Sequence, residues 1–86
     1  MLIDKGNEME ELRNLIQIPQ GRKAIVKAIR GGRGLVQKLQ AIGIREGKEI
    51  EKVSRGIARG PVVIRCGNTE VAIGFGMAQK VFVEEV

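Results

Sequence analysis

The pattern of hydrophobic and polar residues along the chain predicts a series of short β-strands. Imperfect alternation over residues 23–29 predicts a strand that contains a bulge or is buried on both faces. Alternation over residues 48–53 predicts another strand, and the apolar group at residues 81–83 predicts a closing strand ahead of two glutamates. Apolar runs at residues 62–66 and 70–73 flank a turn signal, so they predict a hairpin in which alternate residues of the first run share one face.

One amphipathic helix is predicted between the first two of these strands. Apolar residues recur at helical spacing over residues 34–42. Gly43 follows at the position where a left-handed residue ends a helix, and Ile44 can pack back on Leu39 as in a Schellman cap. A second, single helical turn is predicted over residues 74–79.

Together these elements predict a mainly β fold, a small antiparallel β-barrel with one amphipathic helix and a short second helical turn. Parallel strands would need crossovers of about a dozen residues or more, which the short connections do not provide. Because 86 residues suffice for one domain, we expect a mobile tail over residues 1–10 and a barrel domain over residues 11–86. Closure of the barrel would remove unpaired strand edges.

The composition is typical of a soluble, basic, cytoplasmic protein. Hydrophobic residues make up 43%, charged residues make up 29%, and the formal net charge is +5, which favours acidic partners. The single cysteine cannot form an internal disulfide, and charges near the start interrupt the apolar stretch of a secretory signal. No apolar run is long enough to span a bilayer, so we expect contact with a membrane only through a partner.

Several stretches of the chain together resemble the FeoA family. They are Gly21-x-x-Ala24-x-Val26-x-x-Ile29-x-Gly31-Gly32, Leu39-x-x-Ile42-Gly43-Ile44-x-x-Gly47-x-x-Ile50, Gly60-Pro61-Val62 with Val71-Ala72-Ile73, and Met77-Ala78-x-x-Val81-x-Val83. The most distinctive stretch covers residues 39–47, here called the cap segment, whose spacing is that of a helix end, its glycine cap and a turn. The resemblance runs from about residue 12 to residue 83 and implies an SH3-like barrel.

The same resemblance implies a role in ferrous-iron uptake through a protein partner. Members of the family are small cytoplasmic components of bacterial ferrous-iron uptake that are associated with FeoB, a membrane permease carrying a GTPase domain. We therefore expect this chain to bind and modulate the cytosolic part of a FeoB-like permease. The resemblance leaves open whether the chain also forms a homo-oligomer.

Residue types for catalysis, cofactor binding or tight metal binding are scarce. The chain has no histidine and one cysteine, so we expect no enzyme activity, no cofactor and no transition-metal site, and the glutamates at 46, 49 and 51 are expected to be solvated. Cys66 alternates with apolar residues, which favours a buried side chain over a reactive thiol. The glycines around Arg33 lack the rest of a phosphate-binding fingerprint, so they are interpreted as a structural turn.

Nucleic-acid binding is the alternative function. A basic surface could be formed by Arg30, Arg33, Lys38, Arg45, Lys48, Lys52, Arg55 and Arg59. Single-strand binding relies on stacked aromatic rings, however, and the chain has two Phe and neither Trp nor Tyr. A partner-binding protein is therefore favoured over a small basic barrel that binds RNA. Phe75, Met77 and Phe82 are expected to complete the core rather than anchor a partner.

The loop over residues 54–61, here called the partner loop, is predicted to bind the partner together with the neighbouring helix face. Arg55 and Arg59 flank Ile57, an apolar residue in an otherwise solvent-directed segment. Ile57 either anchors the partner between two steering cations or tucks under its own loop. We therefore expect Arg55, Ile57 and Arg59 to be the partner-binding residues.

Overall fold

The fold, taken from a computed structural model that describes residues 12–54 and 59–86, is mainly β as predicted. Its elements in chain order are β1 (Arg13–Asn14), β2 (Lys23–Ile29), α1 (Arg33–Ala41), β3 (Glu49–Ser54), β4 (Val62–Cys66), β5 (Thr69–Ile73), α2 (Phe75–Ala78) and β6 (Val81–Glu85). The predicted tail over residues 1–10 lies outside the described residues, and so do positions 55–58 of the partner loop.

The strands form one six-stranded antiparallel sheet in the order β1-β6-β2-β3-β4-β5. The expected strand content and pairing direction are confirmed, but the expected closure is not found. Within residues 12–54 and 59–86 no ladder joins β5 to β1. The reason is that β1 has only two residues, and these pair with Val83 and Phe82 of β6. β5 is therefore an edge strand.

β2 and β6 show why the sequence pattern around them is irregular. The register between them shifts between Val26 and Ala28, which confirms the bulge predicted from the broken alternation of β2. β6 is longer than predicted, because Glu84 and Glu85 belong to the strand and lie opposite β2. Charged residues are tolerated there because both carboxylates face cations. The Glu84 carboxylate, for example, lies 3.4 Å from the Nζ of Lys27.

The β4–β5 hairpin follows its sequence prediction closely. Cys66 pairs with Thr69 across a two-residue connection in which Gly67 has a φ of 62°. Alternate residues of β4 from Val62 to Cys66 are buried, as predicted. The hairpin thus brings one apolar face to the core, and among the described residues no strand lies on the outer side of β5.

The end of α1 is a Schellman motif, as the cap segment predicted. The N–H of Ile44 donates to the carbonyl of Leu39 at 2.9 Å, and the N–H of Gly43 donates to the carbonyl of Gln40 at 3.0 Å. Gly43 has a φ of 95°, a conformation that glycine adopts without the steric cost of a Cβ atom. Leu39 and Ile44 are both fully buried, so the cap also closes the core.

A single buried cluster joins these elements. Its members come from β2, β3, β4, β5, β6, both helices and two turns: Leu15, Ile18, Ala24, Val26, Leu39, Ile44, Ile50, Val62, Ile64, Cys66, Ile73, Ala78, Val81 and Val83. Leu15 and Ile18 reach it from the connection between β1 and β2. The cluster consists mainly of β-branched and leucine side chains, which suit a small sheet.

Candidate functional site

Of the three predicted partner-binding residues, the structure describes one. Arg55 and Ile57 lie outside the described residues, so their roles remain predictions. Arg59 is exposed, has a φ of 65°, and holds its guanidinium carbon 5.9 Å from the centroid of the Phe75 ring. A non-glycine residue in the left-handed region is uncommon, and the contact with Phe75 puts the Arg59 side chain beside α2.

Phe75 connects the partner loop to a shallow depression of about 360 Å³. The depression is lined by Ile16, Gln17, Ile18, Pro19, Gln20, Lys52 and Phe75. Phe75 and Ile16 are half-buried, and Pro19 is exposed, so an apolar surface lies next to the cation of Arg59. This combination of an aromatic ring, a cation and a concavity is typical of protein-recognition surfaces.

The wall of the depression is fixed by a side-chain turn at Asn14. Its Oδ1 accepts hydrogen bonds from the N–H of Ile16 at 2.9 Å and of Gln17 at 3.1 Å. The Oε1 of Gln17 accepts a hydrogen bond from the N–H of Asn14 at 2.9 Å. Reciprocal bonds of this kind hold a turn in which Leu15 is buried and which Ile18, also buried, follows directly.

Lys52 belongs to the floor of the depression and not to a basic surface, which corrects the interpretation of this residue. It is 3% exposed, and its Nζ donates to the carbonyls of Ile16 at 3.1 Å and Ile18 at 2.8 Å. A signal for burial was present in the sequence, because strand alternation puts Lys52 on the same face as Ile50. A buried ammonium needs such partners to offset its desolvation.

The other cations considered for a basic surface are exposed, with Arg55 outside the described residues. Six of them, Arg30, Arg33, Lys38, Arg45, Lys48 and Arg59, make no ion pair within the described part of the chain, and neither do Lys23 and Lys80. By contrast, Arg13, Arg22, Lys27 and Arg65 face carboxylates at 2.6 to 3.7 Å. The Glu70 carboxylate raises the pKa of Arg65 further, through its hydrogen bond. Five of these eight cations lie on α1 or in its flanking turns.

The two phenylalanines depart from the expectation that they complete the core. Phe75 and Phe82 are half-buried and lie outside the buried cluster. Each ring has a guanidinium over it: Arg59 lies over Phe75, and the guanidinium carbon of Arg30 lies 5.7 Å from the centroid of the Phe82 ring. Met77 does pack against the cluster, as expected. The rings stay near the surface because α2 is one turn long and β6 has one face outside the core.

Metal-ligating side chains are dispersed in the described part of the chain. Glu46 and Glu49 are exposed, and Glu51 accepts a hydrogen bond from Arg65 at 3.1 Å. Cys66 is 7% exposed, and burial raises the pKa of its thiol while the charge of Lys48 acts in the opposite direction. No three histidine, cysteine or acidic side chains within residues 12–54 and 59–86 cluster as metal ligands would.

A search of the same described residues for a membrane-crossing helix finds none of the required length and apolar character.

Comparison with known proteins identifies relatives over nearly the whole described chain. The sequence model of the FeoA domain matches residues 13–85. A protein of Methanocaldococcus jannaschii, whose assignment as Fe(2+) transport protein A is itself inferred, is 41% identical over 66 residues, which are 77% of this chain and 78% of that protein.

Solved structures agree with this match. A crystal structure of an iron uptake regulatory protein, FeoA, is 33% identical with a TM-score of 0.77 and covers 87% of this chain and 97% of that chain. Stenotrophomonas maltophilia FeoA in complex with zinc, an SH3 domain protein, is 21% identical with a TM-score of 0.70 and covers 83% and 88%. At that identity the second likeness shows the fold alone, and it confirms the SH3-like prediction.

Proposed function

The chain belongs to the FeoA domain family, and we propose that it is a small cytoplasmic accessory protein of ferrous-iron uptake that binds and modulates a FeoB-type permease through the permease's cytosolic part. The observation that carries the proposal is the family match over residues 13–85. The relative that is 41% identical is assigned to Fe(2+) transport, which supports the same process.

The proposed binding surface consists of the partner loop, Phe75 and the adjoining depression. Arg59 stands at the rim with an exposed guanidinium, and Phe75 offers a half-buried ring. The hydrogen bonds of Asn14 and Lys52 fix the wall and floor, so a partner would meet a surface that needs little ordering on binding. Arg55 and Ile57 complete this surface in the proposal, as a second steering cation and an apolar anchor.

The chemistry asked of this surface is recognition alone. Exposed cations increase the rate of encounter with an acidic protein face, and a buried apolar contact slows dissociation. A net charge of +5 acts in the same direction over longer distances. Modulation of the permease would follow from preferential binding to one of its nucleotide states, because a ligand shifts an equilibrium only by its difference in affinity.

The proposal is tested by titrating the permease's isolated cytosolic part with the full chain, with and without guanine nucleotide. We expect saturable binding whose affinity differs between the nucleotide-bound and nucleotide-free forms. An unrelated basic protein of similar size and charge serves as the control for nonspecific attraction. Absence of saturable binding at low salt in both nucleotide states would contradict the proposal.

Nucleic-acid binding remains the second candidate because eight exposed cations, five of them on α1 or in its flanking turns, lack ion pairs in the described residues. It is less well supported for a physical reason: Phe75 and Phe82 each have a guanidinium over the ring, so one face of each ring is already occupied. Bases stack on open aromatic faces. Titration of labelled single-stranded RNA at several salt concentrations distinguishes the candidates, since RNA binding would show a steep salt dependence.

A further inference from the structure

The outer edge of β5 has main-chain groups that the described part of the chain does not use. Cys66 and Thr69 close the hairpin across a two-residue connection, so they form a hydrogen-bonded pair, and the pairing type alternates along the strand. Glu70 and Ala72 therefore point their N–H and C=O groups away from β4. Within the described residues these groups meet no further strand.

In the part of the chain that the structure describes, this edge lacks several of the features that usually protect an exposed strand. β5 contains no proline or lysine, and its register with β4 runs without a bulge from Thr69 to Ile73. Its one charged residue, Glu70, is engaged by Arg65 on the neighbouring strand at 2.6 Å. Ala72 is exposed and small, so an incoming backbone would meet little steric hindrance. At the opposite edge of the sheet, β1 offers only two residues.

A groove of about 470 Å³ adjoins β5 and carries positive charge. It is lined by Ala41, Ile42, Gly43, Arg45, Lys48, Cys66, Thr69 and Val71. Within the described residues, Arg45 and Lys48 make no ion pair and no acidic side chain lines the groove. Ile42 and Val71 are half-buried, which adds an apolar floor between strand and cations.

We propose that the outer edge of β5 binds an extended acidic segment of a protein partner, which adds to the sheet as a further strand and directs carboxylates at Arg45 and Lys48. Main-chain hydrogen bonds to Glu70 and Ala72 would supply affinity, and charge and the apolar floor would supply selectivity. The inference rests on the proposed function, because the partner used to test it is the permease's cytosolic part. The surface itself is distinct from the partner loop and its depression.

Charge favours this occupant over a second copy of the chain. Two copies would each bring a net charge of +5, and each would bring Arg45 and Lys48, with no acidic side chain of the described residues in the groove to meet them. Like charges brought together across an interface disfavour association. An acidic partner segment gains from the same charges.

The proposal is tested directly by amide hydrogen exchange of the full chain. Exchange is measured with and without a saturating amount of the permease's cytosolic part. We expect exchange at Glu70 and Ala72 to slow by roughly ten-fold or more on binding, because both amides would donate hydrogen bonds to the added strand.

Ala72→Pro removes one of these donors and should weaken binding by about ten-fold or more. Proline is tolerated on an edge strand, so the variant should still fold. Ala72→Ser keeps the donor and should bind like the parent chain.

The charge requirement is tested with two double variants that change net charge equally. Arg45→Glu with Lys48→Glu should slow association by roughly ten-fold at low salt, whereas Arg33→Glu with Lys38→Glu, outside the groove, should slow it by about two-fold or less.

Binding without protection of Glu70 and Ala72 would overturn the inference and leave the proposed function standing. Protection that grows with concentration in the chain alone, with a dimer mass, would assign the edge to a second copy and overturn it too. Failure of the parent chain to bind would reject the proposed function and, with it, this inference.

Discussion

The two connections that flank β3 differ in what holds them. Residues 42–48 lead from α1 into β3 and contain the second half of the cap segment, and the partner loop leads from β3 into β4. The first connection is held by main-chain hydrogen bonds: the N–H of Gly47 donates to the carbonyl of Val26 at 2.8 Å, and the N–H of Val26 donates to the carbonyl of Lys48 at 2.9 Å. In the partner loop, the described contact is made by a side chain: the guanidinium of Arg59 lies over the ring of Phe75.

The difference teaches which connection is available for recognition. In the cap segment, glycines at positive φ and buried apolar residues satisfy the backbone and the core, so few of its side chains can serve a partner. The described end of the partner loop instead presents an exposed cation and a ring beside a depression. Substitutions at the glycines and buried residues of the first connection should therefore change stability, whereas substitutions at its exposed Arg45 and Lys48, or in the second connection, should change binding.

Gly43→Val should have the largest effect on stability. Gly43 has a φ of 95°, which a β-branched residue resists, while the space around an added Cβ is adequate, with the nearest atom at 3.8 Å. We expect the free energy of unfolding, measured by chemical denaturation, to fall by roughly 2–3 kcal/mol because of backbone strain.

Gly34→Ala is the matched control for this prediction. Gly34 lies within α1, and an added Cβ there meets no atom within 4 Å. Alanine should raise the free energy of unfolding by about 0.5–1 kcal/mol, since it favours the helix. Equal stability of Gly43→Val and the parent chain would show that the cap segment does not hold α1.

Lys52→Met should have the next largest effect. The change removes the donor to the carbonyls of Ile16 and Ile18 and leaves two acceptors poorly satisfied. We expect a loss of roughly 2 kcal/mol in the free energy of unfolding and faster amide exchange over residues 15–18. Lys38→Met, on the exposed face of α1, is the control and should change stability by about 0.5 kcal/mol or less. A stable Lys52→Met chain with unchanged exchange would show that the depression does not depend on this lysine.

The sequence predicted well those features that local backbone chemistry requires. The Schellman motif at Gly43, the bulge in β2 and the turn at Gly67 all follow from conformations or periodicities that only certain residues permit. In the cap segment, the left-handed Gly43 and the packing of Ile44 with Leu39 in the core were accordingly predicted. The end of β6 was missed because two adjacent glutamates indicate solvent, whereas cations brought from elsewhere in the fold pair with them.

The candidate site was predicted less completely, because it is assembled from residues distant in the chain. Phe75 meets Arg59 only through the arrangement of α2 beside the loop, and the depression joins residues 16–20 to Lys52. Neither juxtaposition leaves a periodic signal. For Lys52 the alternation of β3 indicates burial, whereas its charge indicates exposure.

Arg55→Glu with Arg59→Glu should change binding far more than stability. Reversing two exposed charges should slow association with the permease's cytosolic part by roughly ten-fold at low salt, with a smaller effect on dissociation. Loss of the Arg59–Phe75 contact should lower the free energy of unfolding by about 1 kcal/mol or less, as expected for an exposed cation–π pair.

Arg33→Glu with Lys38→Glu carries the same change in net charge and is the control for this variant. Stopped-flow association rates for the two variants separate local steering from the general effect of charge. Equal association rates for the two variants would show that the partner loop is not part of the binding surface. Loss of RNA binding by Arg55→Glu with Arg59→Glu, with RNA affinity that falls steeply as salt is added, would favour the nucleic-acid alternative.

The smallest effect expected is a pH dependence of stability from Cys66, whose Cβ lies 3.8 Å from the position of a Cβ at residue 43. Burial raises the pKa of this thiol in the folded chain above its ordinary value, so the unfolded chain loses the proton first as pH rises. The stabilisation is therefore fully present below the unfolded pKa, which is about 8.5, and is lost as pH rises from there through the folded pKa. Unfolding measured from pH 7.5 to 10 should show this decline in the parent chain relative to Cys66→Ala.

Thiol labelling at pH 7.5 should be slow in the parent chain and in Arg55→Glu with Arg59→Glu. It should be faster in Gly43→Val, because only this variant loosens the cap segment over the thiol. Parallel pH profiles for the parent chain and Cys66→Ala would show that the thiol is not shielded by its packing.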